Sequence, residues 1–210
     1  MADELEVANV ALGMIGEPPV VSLAENVETA RALNLRLPIA RDAVLRSHFW
    51  NFAIRRSELT ALPTAPAFGF DTQFNLPADW LRMAAVNPGQ HGAHAITSQT
   101  DYAIEGDQLL IRGTDVARII YVAREEDLTR WDALATEALA ARLASELAVA
   151  VTQNRALGDQ LQRLYRDKLA EARSVDAMDE PPKAIEANEW VASRFGTFPF
   201  LETLPPFEES

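Results

Sequence analysis

Apolar residues recur at helical spacing near both ends of the chain and alternate with polar ones in the middle. Leu5, Ala8, Ala11, Leu12 and Ile15 fall on one helical face, and Asp3 with Glu6 has the spacing of a capping box, so a first helix is predicted. Gly16 ends it, and Glu17-Pro18-Pro19 forms a stiff connector. Ser22 and Glu25 repeat the capping spacing and predict the start of a second helix, with Leu33, Leu37, Ala40 and Val44 as its stripe. Pro38 has no amide hydrogen to donate to the carbonyl of Asn34, so a kink or break is expected there, and the helix should end near His48.

From Trp50 the period shortens to two. Phe52, Ile54 and Leu59 bracket polar residues until Pro63, Pro66 and Gly69 interrupt the run. Leu76 to Arg82 reads as a proline turn leading into a short strand that ends near Val86, and residues 87–92 as a loop. The clearest hairpin is Tyr102 to Ile111, in which Gly106-Asp107 separates two apolar runs as a two-residue turn does. Arg112 to Asp115 turns again into Val116–Ala123, where Ile119 and Tyr121 alternate with Ile120 and Val122. An antiparallel β-meander is therefore expected between helical segments.

Helical spacing returns after Glu125-Glu126-Asp127, acids suited to a helix N-terminus. Trp131 to Val151 is rich in alanine, with Leu139, Leu143, Leu147 and Val151 four apart. Asn154 is a candidate cap for a further helix with Leu157, Leu161, Leu164, Tyr165 and Leu169 on its apolar face, and Gly158 should weaken its first turn. After Asp179 the character changes again. Pro181, Pro182, Pro199, Pro205 and Pro206 exclude long helices, while Trp190, Phe195, Phe198, Phe200 and Phe207 stand among acids. Such a tail, fully extended at about 3.3 Å per residue, reaches roughly 100 Å.

The expected fold class is α+β. Residues 1–48 and 125–178 make a helical bundle with long alanine-rich helices, 49–124 a β-rich insertion, and 179–210 an extended C-terminal docking tail. A chain of 210 residues, 48% of them hydrophobic, can bury a sizeable core.

Composition narrows the chemistry. The absence of cysteine removes disulfide scaffolds, thiol nucleophiles and thiolate metal sites, and fits synthesis in a reducing cytoplasm. Asp3, Glu4 and Glu6, with no basic residue beside them, do not suit a signal peptide, and no stretch approaches the ~20 apolar residues that cross a bilayer. No membrane partner is expected. A net charge of −12 makes the chain a poor binder of duplex DNA, itself a polyanion; it serves solubility, or a surface that must not hold passing DNA.

Three histidines are present. His91 and His94 form an H-x-x-H pair among glycine, alanine and glutamine, which reads as a polar loop rather than a metal site, since a metal needs further ligands on rigid elements. His48, at a predicted helix C-terminus, suits the helix dipole; a general base needs a partner that sequence does not locate. The clusters Glu125-Glu126-Asp127 and Asp176-Asp179-Glu180 read as solvated helix ends rather than paired catalytic acids. No phosphate-binding loop, nucleophile elbow or dinucleotide fingerprint occurs, so no catalytic, metal or cofactor residue is assigned and no enzyme is expected. The aromatic tail either folds back on its own domain, or is left solvated, or docks on a neighbour. Docking is favoured, because five large rings supply anchors and prolines lower the entropy lost on ordering.

Four segments carry a resemblance, in order along the chain. Glu6 to Leu23 (EVANVALGMIGEPPVVSL), Trp50-Asn51-Phe52-Ala53, Phe74 to Arg82 (FNLPADWLR) and Tyr102-Ala103-Ile104-Glu105-Gly106 resemble the tail tubular protein A family, as does the alanine-rich stretch from Leu139 to Tyr165. These are head-to-tail adaptors of T7-like and other short-tailed phages. The resemblance covers about residues 5–175 and leaves the tail outside. It implies a helical bundle with a β-rich insertion, and a virion protein made in the host cytoplasm. It further implies a ring, usually of twelve copies, between the portal protein and the tail nozzle or tube, through which genomic DNA passes without specific binding. The other readings are a tail-associated hydrolase using acidic residues, and the connector of a long-tailed phage.

Overall fold

The computed structural model describes residues 3–87 and 102–179. The chain divides into units 1–179 and 180–210; the second unit, with Trp190, Phe195, Phe198, Phe200 and Phe207, lies outside the described residues, and so do His91 and His94.

Helix α1 spans Glu4–Ile15. Asp3 caps it by accepting the Glu6 amide at 2.7 Å, and Gly16 ends it in the left-handed region at φ 79°, as the sequence predicts. Helix α2 spans Glu28–Ser47 and runs unbroken through Pro38. It also starts later than expected. The Ser22–Glu25 box forms its bonds, with Glu25 Oε1 accepting the Val21 and Ser22 amides at 2.6 and 3.0 Å, yet these close an isolated turn rather than a helix. Asn34 Nδ2 ties that turn to α2 through the carbonyl of Leu23 at 2.6 Å. Capping chemistry specifies a local turn; a helix forms only where an apolar stripe follows to be buried.

Among the described residues the strands in the middle of the chain are all antiparallel, and they pair out of chain order. Strands β1 (Ile54–Thr60), β2 (Thr72–Asn75), β3 (Trp80–Val86), β4 (Tyr102–Glu105), β5 (Gln108–Ile111) and β6 (Val116–Ala123) form two three-stranded sheets, ordered β1-β6-β3 and β2-β5-β4. Strand β2 has no counterpart among the sequence expectations; four residues give too short a run to show a period. The β4–β5 hairpin turns at Gly106-Asp107 as predicted. The positive φ of 63° falls at Gly106 and not at Asp107, the pattern of a II′ turn.

Strand β6 joins two cores by its period of two. Ala117, Ile119, Tyr121 and Ala123 point into a β-sided core with Phe74, Leu109 and Ile111, while Val122 points into the helical core with Leu81 and Trp50. Helix α3 (Ala133–Thr152) is the hub of that helical core and packs on α1, α2 and α4 (Arg155–Met178). Its buried alanines let backbones approach closely on several sides, with Leu139, Leu143 and Leu147 between them, all fully buried.

Two sequence readings change here. Asp132 caps α3 by accepting the Leu134 and Ala135 amides, so Glu125-Glu126-Asp127 belong to the segment before the helix and not to its first turn. Gly158 sits where a Cβ would stand 3.0 Å from Val149 Cγ2, so it permits the close α3–α4 crossing as well as weakening a turn. Among the described residues the chain thus has the expected α+β architecture, a bundle of four helices with an antiparallel β insertion.

Candidate interaction surfaces

The first polar cluster closes the junction between bundle and insertion. At the end of α4, Asp176 is buried and not solvated as its sequence context suggests. Its Oδ2 lies 3.0 Å from His48 Nε2, its Oδ1 accepts the Asn51 amide at 3.1 Å, and its carbonyl accepts Asn51 Nδ2 at 2.9 Å. Arg173 donates to the Ser47 carbonyl at 2.8 Å and Arg82 to that of Arg46 at 3.2 Å, so two guanidinium groups satisfy the last carbonyls of α2. The Ser47 hydroxyl donates to the Val44 carbonyl. Trp50 is fully buried beneath the cluster. Its indole N–H donates to that same carbonyl at 2.9 Å, and its ring meets His48 edge-on at 4.8 Å and Phe52 in a stack. The group clamps three chain segments at one point, and its carboxylate has both oxygens engaged.

A second cluster lines an open cleft of about 460 Å³ where the β layer meets the segment after β6. Arg55 bridges Asp79 at 3.3 Å and Glu125 at 2.9 Å, while Arg130 reaches Glu125 at 3.6 Å and Asp127 at 3.4 Å. Glu125 is buried, which the solvated-helix-end reading of its cluster did not anticipate. Tyr121 donates its hydroxyl to Asp79 Oδ1 at 3.1 Å; burial first, then that bond and the carboxylate charge, raise its pKa above the ordinary phenol value. Bonds from the Thr129 hydroxyl and amide hold Asp127 below the usual carboxylate range. Beside the cleft, buried Arg41 ties α1 to α2 and the linker through Glu4 at 3.3 Å and Glu126 at 3.1 Å.

The third feature is apolar. A groove of about 290 Å³ runs between α1 and α3, floored by Val7, Leu128, Trp131 and Ala140 and edged by Glu6 and Glu137. Among the described residues no three His, Asp or Glu side chains gather as a metal ion requires, and no helix is long and apolar enough to cross a membrane. The tail aromatics assigned to docking cannot be set against these surfaces, since they fall outside the described residues. None of the three surfaces follows from sequence spacing; the groove takes Glu6, Val7 and Val10 from α1, none of them on its predicted apolar face. The two polar clusters join residues up to 128 positions apart and have no local signature.

The fold and these surfaces define an α+β protein whose polar clusters tie one segment of the chain to another. Neither a model of a known protein family nor any curated protein matches the chain in sequence.

Proposed function

We propose that this chain is the head-to-tail adaptor of a short-tailed phage, a subunit that forms a ring between the portal and the tail nozzle and extends the channel for DNA. The observation that carries this reading is where the four resembling segments fall in the fold. Glu6 to Leu23 runs through α1 and the connector after it, Trp50 to Ala53 is the clamped junction of bundle and insertion, Phe74 to Arg82 takes in the end of β2 and the turn into β3, and Tyr102 to Gly106 makes β4 with its turn. They supply a helix of the bundle, its junction with the insertion, and strands and turns of the insertion, parts of the architecture the resemblance implies.

The physical setting supports the same role. A hub helix lined with alanine leaves the outer faces of the other helices for neighbours, and the surplus of 31 acids over 19 bases keeps the DNA backbone from adhering. The tail, with Trp190, Phe195, Phe198, Phe200 and Phe207, anchors on the portal or on an adjacent subunit.

The test is assembly. Sedimentation and electron microscopy of the purified chain, alone and mixed with the cognate portal ring, should give a closed ring seated on the portal. A chain that stays monomeric with portal present refutes the reading. Deleting residues 180–210 should abolish attachment, and unchanged attachment removes the tail's role.

A further inference from the structure

Two surfaces of the bundle are apolar and exposed among the described residues. On α2, Leu35 and Ile39 are 68% and 56% exposed, and four residues apart they form one ridge. Arg31 stands one turn before the ridge and Arg36 beside it, both exposed, and Glu28 opens the helix one turn before Arg31. The groove between α1 and α3 is the counterpart. Leu128, Trp131 and Ala140 lie within it, Val10 at its mouth is 46% exposed, and Glu6 supplies negative charge at the rim, where Glu137 is already paired with Lys168.

The two surfaces match in polarity and in charge, apolar ridge beside the Arg36 cation against apolar groove with the Glu6 carboxylate at its rim. Each is a poor partner for itself, since a two-fold contact sets Arg36 near Arg36 or Glu6 near Glu6. A second copy of this chain is therefore the occupant that the charges select, in a head-to-tail arrangement. We propose that the Leu35–Ile39 ridge of one copy seats in the α1–α3 groove of the next, with Arg36 facing Glu6. Every copy then gives one surface and receives one, which generates a ring when the rotation per copy closes. This rests on the ring reading above and names the surfaces that build it.

The absence of cysteine makes the contact directly testable, because introduced thiols have no native competitor. Val10→Cys and Ile39→Cys chains are prepared singly, mixed, and as the double variant, then treated with a short bismaleimide under conditions in which the unaltered chain forms multimers. The mixture should give covalent dimers and the double variant a ladder of multimers, while each single variant alone stays monomeric on a denaturing gel. Arg36→Glu should cut the ladder at least ~5-fold, and Glu6→Arg in the same chain should restore it. Self-linking of either single variant as strong as the mixture, or multimers without the 10–39 link, overturns the proposal and leaves the ring reading standing. Failure of the unaltered chain to multimerise even with portal overturns both.

Discussion

At the residue scale, the side chains with most consequence are polar ones that the fold has buried. Asp176 uses both carboxylate oxygens and its carbonyl to hold His48 and Asn51, so Asp176→Ala orphans an amide and removes the histidine's partner. The expected loss is about 1–3 kcal/mol in urea denaturation, with His48→Gln costing less because that ring is partly exposed. A loss as small as that of an ordinary surface substitution would refute the clamp.

Tyr121 gives a prediction on the alkaline side. Its folded pKa is raised, so the native state keeps the proton after the unfolded chain has lost it. The stability it contributes is complete below the ordinary phenol value of about 10 and is lost as pH rises through the folded value. Denaturation midpoints should fall with increasing pH above about 10, and Tyr121→Phe should flatten that slope. Asp127 acts in the opposite direction. Its pKa is lowered, so its contribution is present above the usual carboxylate range and disappears as acid protonates it.

At the scale of elements, the decisive features are how helices begin and how near they come to one another. Asp132 accepts two amides at the start of α3, the helix that touches all the others. Asp132→Ala should cost about 1 kcal/mol by thermal melting. The Ser22–Glu25 box offers a control, since it closes a turn outside any helix; Glu25→Ala should leave the helical circular dichroism of the chain unchanged. Gly158 tests the packing of α3 on α4. A leucine there must displace Val149 or open the crossing, at about 1–3 kcal/mol, although leucine is the better helix former. A stabilised Gly158→Leu variant would show that the glycine is not needed for the approach.

At the scale of the whole molecule, residues 1–179 form a compact unit with two hydrophobic cores. A chain ending at Asp179 should therefore keep its cooperative unfolding transition, and on the function proposed above it should lose attachment to the portal, a separation of stability from assembly that calorimetry and co-sedimentation together can read.

The sequence alone determined that the helices exist, the ends of α1 and the start of α4, and the β4–β5 hairpin, because these follow from local spacing, caps and turn glycines, whereas the cap expected at Ser22 closes a turn and α2 opens only at Glu28. It also determined the α+β class, since the period of the apolar residues changes where the chain passes from helix to strand. Only the tertiary structure decided that β6 lies between β1 and β3 and that β2 exists at all. It alone decided that Asp176 and Glu125 are buried partners rather than solvated ends, and that Pro38 stays inside an unbroken helix. The physical reason is range. Caps and periods act over four residues or fewer, whereas strand order and the burial of a charge depend on what other segments, scores of residues away, bring to the same place.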